Sequence, residues 1–163
     1  MRQLLMVRYG EIYLKGLNRP YFMKALVKRV KQATKEFKAN VWLHDARIFV
    51  CDMEDVEGCM ERVRKVFGVH SVCPAIEMEK DDFEAICQEA EKMMRPLNGT
   101  FKVEARRADK RYFMDSPMIN RKIGEYVLER NEDHLSVDVH KPEHVLSVEI
   151  RDKAYLYCQV YMA

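Results

Sequence analysis

The strongest constraint on the fold is a helical repeat of apolar residues between Pro20 and Lys38. At 3.6 residues per turn, one arc of this segment is apolar and the opposite arc is made of lysines. The pattern predicts a helix that packs one face on a core and exposes the other. The apolar arc holds Phe22, Leu26, Val30, Ala33 and Phe37; the opposite arc holds Lys24, Lys28, Lys31 and Lys35, here called the lysine stripe, and continues to Lys38.

Short apolar runs on both sides of this helix predict strands, and a second helical pattern follows them. The resulting order, β-α-β-β-α-β, is the split βαβ arrangement of ferredoxin-like folds. The predicted elements are a strand at 4–9, the helix at 20–38, strands at 41–43 and 47–51 around a turn at 44–46, a helix at 55–67 with Val56, Met60, Val63 and Phe67 inward, and a strand at 69–73 closed by Pro74.

A polar connector at 75–80 is expected to separate this unit from a second α/β unit, which predicts an α+β protein with domains at 1–75 and 76–163. The predicted elements are a helix capped by Asp81 or Asp82 with Phe83, Ile86, Cys87, Ala90 and Met94 inward, a strand at 100–105, a charged loop at 106–115, a helix at 116–130 capped by Ser116 with Ile119, Ile123 and Val127 inward, and strands at 135–139, 145–150 and 154–160.

The charge of the chain is unevenly distributed, although its net value is only +2. Residues 1–50 hold eleven Lys and Arg against three Asp and Glu, whereas residues 51–163 hold seventeen against twenty-three. Such a polarised chain indicates a polyanionic partner for its basic part.

The lysine stripe is one candidate site for that partner. Like charges four residues apart on a helix repel by a few tenths of a kcal/mol per pair, and only Glu36 offsets them within the predicted helix. Phosphate groups are the natural counter-charge, because each contact releases a condensed counterion. The alternative is a solvated surface that binds nothing.

The charged loop after the strand at 100–105 is the sharper candidate. It combines four basic residues with Tyr112 and Phe113, whose rings are predicted to stack on unpaired bases. It also leads into a helix start at Ser116, where free backbone N–H groups favour anions. The alternative is that Phe113 belongs to the core and that the arginines are merely solvated.

The sequence offers no catalytic, metal-binding or cofactor-binding constellation. The five cysteines, scattered and odd in number, are predicted to be buried thiols. His140 and His144 bracket Pro142 and cannot share a helix face, and no adjacent glycines form a phosphate-binding loop. Without an export signal or a membrane span, a cytoplasmic protein is expected.

Two separate stretches resemble the bacterial and archaeal tRNA 4-thiouridine synthetases, a family also linked to thiamine biosynthesis. RYGEIYLKGLNR at residues 8–19, followed by Phe22, is similar to the opening signature of that family. The stretches that resemble the THUMP domain of the same enzymes are residues 101–110, Ser116, Asn120, 123–124, 137–139, 141–142 and 148–151.

The resemblance implies an N-terminal ferredoxin-like domain at 1–75 and a THUMP domain at 76–163, which together hold tRNA by its acceptor stem and 3′ CCA end. It also implies that ATP and Mg²⁺ serve a pyrophosphatase-loop domain expected after Ala163, so no catalytic residue and no cofactor site are carried over to this chain. A cysteine desulfurase-type sulfur donor is implied for the intact enzyme, and a homodimer is possible; no membrane contact is expected.

The predicted RNA-binding residues follow from the resemblance and from charge, and both clusters are expected to face one ligand. The alternatives are the RNA-binding module of another THUMP-containing enzyme, such as a methyltransferase, and an α/β protein-interaction module that binds no RNA. Arg8, Lys15, Arg19, Arg106, Arg107 and Lys110 match charged positions of the family; Lys24, Lys28, Lys31, Lys35, Lys102, Arg111, Arg121 and Lys122 rest on charge and placement alone.

Overall fold

A computed structural model describes residues 1–10, 19–44 and 47–163. Its contacts divide the chain into two compact units. The N-terminal unit comprises Gln3–Ala75 and Gln159–Ala163, and the C-terminal unit comprises Ile76–Cys158 and Met1–Arg2. The predicted turn residues Asp45 and Ala46 lie outside the described residues.

The N-terminal unit is built in the predicted order β-α-β-β-α-β. In its sheet β3 pairs antiparallel with both β2 and β1, and β4 lies on the other side of β1. A short strand near the C-terminus also pairs antiparallel with β4, joining Ser71 to Met162 and Val72 to Tyr161. The elements are β1 (Arg2–Tyr9), α1 (Arg19–Ala33), β2 (Asn40–His44), β3 (Arg47–Cys51), α2 (Val56–Arg64), β4 (Val69–Met78) and, from the C-terminus, β9 (Tyr161–Met162).

The prediction for α1 was wrong in its length and partly wrong in its buried face. The helix ends at Ala33, where the Thr34 hydroxyl donates to the Val30 carbonyl, and a turn of 3-10 helix leads to Lys38 in the left-handed conformation. The core takes Met23 together with the predicted Leu26 and Val30, while Phe22 is partly exposed.

The second predicted helix was also too long. α2 buries Met60 and Val63 as expected, together with Cys59, but it ends at Arg64. Phe67 therefore follows the helix instead of belonging to its inner face, and its side chain is 67% exposed. Gly68, with φ of +100°, turns the chain into β4.

The predicted end of the next strand at Pro74 was wrong, and so was the polar connector at 75–80. β4 runs through Pro74 to Met78, and Ala75 and Met78 are both buried. Proline has no N–H to donate, so it fits a strand only where the ladder requires no donor at that position. Beyond Pro74, Ile76 and Met78 alternate with Glu77 and Glu79, and this apolar–polar alternation was the available sequence signal.

The C-terminal unit packs two helices on a mixed sheet. β5 runs parallel to its neighbours β6 and β7, and β7 pairs antiparallel with β8. The predicted inner faces of both helices are confirmed for the residues assigned to them from Ile86 to Val127, which are all buried. Phe83, also predicted to face inward, is only partly buried. The elements are α3 (Phe83–Met94), β5 (Gly99–Arg107), α4 (Ser116–Arg130), β6 (Leu135–Val137), β7 (His144–Ile150) and β8 (Ala154–Tyr157).

Two local predictions in this unit need correction. The cap of α4 is Asp115, whose carboxylate accepts a hydrogen bond from the Met118 N–H at 2.9 Å, and not Ser116. Glu149 lies between Val148 and Ile150, an alternation typical of an outer-face position, yet it is buried. Asp82 does cap α3, by accepting from the Ala85 N–H at 3.1 Å.

Candidate nucleic-acid interface

The lysine stripe lies on the exposed side of α1, opposite Met23, Leu26 and Val30, and Lys35 continues it into the 3-10 turn. α1 itself contains no acidic residue. Among the residues that the structure describes, none forms an ion pair with the four lysines of the stripe. The ion pairs nearby involve other residues: Lys38 lies 3.3 Å from Glu54, and Glu36 pairs with Arg62. The stripe therefore keeps its positive charge.

The cations of the opening signature are described only in part. Arg8 is exposed near the end of β1, and Arg19 is exposed as the first residue of α1. Lys15 lies outside the described residues.

A second basic region, called here the basic loop (residues 106–113), lies at the end of β5 in the C-terminal unit. The backbone N–H groups of Ala108 and Asp109 both donate to the Ile150 carbonyl, at 2.8 and 3.2 Å. The Tyr112 hydroxyl donates to the Lys80 carbonyl at 2.7 Å. These bonds fix the loop to the end of β7 and to the segment before α3.

The four cations of the basic loop differ in their exposure and in the groups that they contact. Arg111 has a side chain that is 98% exposed, and Lys110 is also exposed. Arg106 is exposed but pairs with Glu104 at 3.3 Å. Arg107 turns inward, where its Nη1 donates to the carbonyls of Lys110 and Tyr112 at 3.2 and 3.5 Å. Its charge holds the loop together, a role that the sequence did not reveal.

The two aromatic residues of the basic loop have different environments. Tyr112 is buried, and burial raises the pKa of its hydroxyl to about 12. Its ring is therefore not the stacking surface that was predicted. Phe113 is 66% exposed, which contradicts the alternative that it belongs to the core. Its ring rests against Tyr112 at 4.7 Å and edge-on against Phe83 at 6.3 Å.

A groove of about 620 Å³ opens beside α4 in the same unit and is called here the α4 groove. Lys102 of β5 and Arg121 of α4 line it, together with the exposed apolar side chains of Val137 and Val139. β6 pairs with β5 only as far as Phe101, so the edge of β5 is uncovered by strand beyond that residue.

Asn120 of α4 takes the place of a strand partner at this edge. Its Oδ1 accepts the Ala105 N–H at 2.7 Å, one residue before Arg106. The groove is lined by β5 as far as Glu104, and the basic loop begins two residues later at Arg106, so the two follow one another along β5. Of the other predicted cations, Lys122 is exposed on α4 but does not line the groove.

Acidic side chains partly neutralise the positive charge of this region. Glu104 lies 4.0 Å from Lys102 as well as near Arg106, and Asp109 lies 3.9 Å from Arg111. Cations, an exposed phenyl ring and an apolar groove are the groups needed to hold phosphates and unpaired bases. The arrangement can bind and position a nucleic acid.

The thiols give no sign of reactive chemistry. All five cysteines carry thiols and four of them are buried. Burial raises the pKa of the Cys59 and Cys87 thiols to about 11, which leaves them protonated at neutral pH. Within the described ranges, no three His, Cys, Asp or Glu side chains gather as metal ligands, and no helix is long and apolar enough to cross a membrane.

Comparison with known families matches each part of the chain to a described domain. Residues 4–73 match the ThiI ferredoxin-like domain, and residues 80–159 match the THUMP domain. A probable tRNA sulfurtransferase of Acetivibrio thermocellus is 41% identical over 172 aligned positions, which cover 100% of this chain and 43% of that protein.

Two solved structures are similar over nearly the whole chain. A crystal structure of a 4-thiouridine synthetase–RNA complex with bound ATP matches with a TM-score of 0.89 at 28% identity, covering 100% of this chain and 42% of the other. The crystal structure of PH1313 from Pyrococcus horikoshii matches with a TM-score of 0.83 at 30% identity, covering 99% and 55%. The chain thus spans less than half the length of the curated relatives that it matches.

Proposed function

The chain belongs to the tRNA sulfurtransferase family, and from this premise we propose that it is the part of such an enzyme that binds tRNA and positions it for 4-thiouridine formation. The observation that carries the proposal is that the α4 groove and the basic loop follow one another along β5. Together they provide exposed cations, an apolar groove and the exposed ring of Phe113.

The α4 groove and the basic loop would hold the acceptor stem and the unpaired 3′ CCA end. Arg111, Lys110 and Arg106 would contact backbone phosphates, and Lys102 and Arg121 would do so at the edge of the groove. Phe113 would stack on an unpaired base, since any base offers a π face. Phosphate contacts fix the register of the RNA without reading its sequence.

The lysine stripe would add further phosphate contacts from the N-terminal unit. Its four cations have no acidic partner among the described residues, so phosphates would replace only solvent and counterions.

The intact protein would supply what this chain does not hold. ATP and Mg²⁺ would act in a pyrophosphatase-loop domain, and a cysteine desulfurase-type donor would deliver the sulfur. A role in thiamine biosynthesis, a homodimer and a cytoplasmic location belong to the same proposal, as do the domain limits 1–75 and 76–163.

The test is a mobility-shift titration of an acceptor-stem minihelix, with and without its CCA end, at several salt concentrations. Arg106→Glu with Arg111→Glu is expected to lower the affinity for both RNAs by about tenfold or more, because two attractive charges become repulsive. Phe113→Ala is expected to weaken binding of the CCA-ended RNA by about fivefold or more, because stacking needs unpaired bases.

Phe67→Ala removes an equally exposed ring from the N-terminal unit and serves as the control for Phe113→Ala. The proposal is overturned if the unaltered chain binds neither RNA at physiological salt. The groove and loop assignment alone is wrong if the chain binds RNA but the double arginine variant binds as tightly.

A further inference from the structure

Lys80 lies beside the basic loop, yet its ammonium group is directed to protein atoms. Its Nζ donates to Asp109 Oδ2 at 2.7 Å and to the Arg151 carbonyl at 2.8 Å. The side chains of Lys80 and Asp109 are each only about one-fifth exposed. Charge alone would predict that Lys80 contacts RNA, but its ammonium group is already hydrogen-bonded to protein atoms.

Asp109 extends this connection into the basic loop. Its Oδ1 accepts the Arg111 N–H at 3.0 Å, while its own N–H donates to the Ile150 carbonyl. The hydrogen bond from Lys80 holds the pKa of the Asp109 carboxyl below its usual range, so the group stays ionised at neutral pH. One carboxylate therefore links Lys80 to the backbone of the most exposed arginine of the loop.

A second bond closes the connection from the other side. The Tyr112 hydroxyl donates to the carbonyl of Lys80 itself, so Lys80 is tied to the loop by its side chain and by its backbone. The residues held between these attachments are Lys110 and Arg111, and Phe113 follows directly. A loop fixed in this way loses little conformational freedom when a ligand binds, which favours affinity.

We propose that Lys80 and Asp109 are positioning residues for RNA binding: their ion pair fixes the basic loop so that Lys110, Arg111 and Phe113 are presented together, and Lys80 makes no RNA contact of its own. This inference rests on the proposed function, since it concerns how the same surface is prepared for its ligand.

The inference reverses the sign expected for one substitution. Asp109 is an acid among cations, so electrostatics alone predicts that Asp109→Asn tightens binding to a polyanion. If Asp109 is a positioning residue, Asp109→Asn should weaken RNA binding, because the hydrogen bonds to Lys80 and to the Arg111 N–H become weaker. Glu104 is the matched control, since it forms ion pairs with the side chains of Lys102 and Arg106.

The experiment measures binding of the CCA-ended minihelix by the 163-residue chain at several salt concentrations. Asp109→Asn and Lys80→Met are each expected to lower affinity by about tenfold. The double variant should lose no more affinity than the more damaging of the two single substitutions. The slope of log affinity against log salt should not change. Glu104→Gln should tighten binding.

A direct RNA contact by Lys80 gives a different pattern. Lys80→Met would then reduce the magnitude of the salt slope by about 0.7 to 0.9, the value of one lost phosphate contact, and Asp109→Asn would bind RNA more tightly. Either result, or an unchanged affinity in both variants, overturns the inference. Failure of the unaltered chain to bind RNA instead overturns the proposed function.

Loss of folding is excluded by measuring thermal unfolding of each variant beside its binding. If Lys80→Met does not fold, Asp109→Asn alone decides the question, because it keeps the shape of the side chain. Lys80→Arg, which retains the cation, is expected to recover part of the affinity; no recovery above the Lys80→Met value counts against an ion-pair role.

Discussion

At the scale of the residue, neighbours in sequence perform separate tasks in the basic loop. Arg106 is directed to solvent and Glu104, whereas Arg107 binds two carbonyl groups of the loop. Tyr112 is buried and Phe113 exposed. Replacing Arg107 would therefore damage the loop as well as its charge, so Arg111 is the better probe of ligand binding.

Glu91 is a buried charged residue of the C-terminal unit, with only 6% of the residue exposed. Its Oε1 accepts hydrogen bonds from Arg95 Nε at 2.9 Å and from Asn131 Nδ2 at 3.3 Å. The hydrogen bond from Arg95 is the main reason that the pKa of Glu91 is lowered. The ionised carboxylate thus joins α3 to the end of α4.

We expect Glu91→Gln to lower the free energy of unfolding by about 1–2 kcal/mol at pH 7, since hydrogen bonds to a charged group are lost. A lowered pKa in the folded state stabilises the protein above the ordinary glutamate pKa of about 4.3, and this contribution disappears as pH falls through the lowered value. Urea unfolding at pH 7 and in acid measures the difference.

The exposed Glu129, 3.8 Å from Arg130, provides the comparison for that variant. Glu129→Gln should change stability by less than about 0.5 kcal/mol at either pH. A difference between the Glu91 variant and the unaltered protein that remained constant from pH 7 into acid would contradict the role assigned to the ionised carboxylate.

At the scale of the element, β9 supports the sheet of the N-terminal unit from the far end of the chain. Besides pairing with β4, it offers the Met162 carbonyl to Arg64 Nε at 3.0 Å, and the Arg64 guanidinium lies 5.8 Å from the Tyr161 ring. Tyr161 also packs against the core of this unit.

Deletion of residues 159–163 is expected to destabilise the N-terminal unit by about 1–2 kcal/mol, because strand pairing and the packing of Tyr161 are both lost. Hydrogen exchange should show faster opening of the β4 amide at Val72, which faces β9 and pairs with Tyr161. Tyr161→Ala should reproduce part of the effect, while exchange in α3 and β5 stays unchanged. Equal exchange at Val72 with and without the deletion would disprove the supporting role.

Sequence patterns predicted the elements well where one periodicity extends over several turns. The inner faces of α3 and α4 are apolar at three or more helical positions, so an error at one position does not change which face is predicted to be buried. Phe22 and Phe67 were misplaced because each lies at the margin of its predicted pattern, where the actual end of the helix decides its burial.

The candidate site was predictable in its charges but not in its internal bonds. The basic loop is visible in the sequence as a cluster of cations. The engagement of Lys80 depends on Asp109 and on the Arg151 carbonyl, which are 29 and 71 residues away. Contacts at such separations leave no local pattern, so neither the positioning role nor the burial of Tyr112 could be read from the sequence.

At the scale of the whole molecule, the uneven charge distribution predicts how RNA binding responds to salt. Replacing Lys24, Lys28, Lys31 and Lys35 by Gln should reduce the magnitude of the salt slope by about 0.7 to 0.9 for each phosphate contact removed. Titrations of tRNA between about 50 and 200 mM salt cover the range in which such slopes are well resolved.

Lys38→Gln is the matched control for these four substitutions, because Lys38 already faces Glu54. It should leave the slope unchanged. An unaltered slope after all four replacements would mean that the lysine stripe is only a solvated surface, and the N-terminal unit would then need another way to contribute to tRNA binding.

The N-terminal unit is assembled from two separate parts of the chain, since residues 76–158 come between Ala75 and its final strand. During synthesis on the ribosome, β4 must therefore wait for its β9 partner until the whole intervening unit has emerged. Until then the edge of β4 at Ser71 and Val72 lacks that strand, so the nascent chain passes through a stage in which this edge is available to a chaperone or to aggregation.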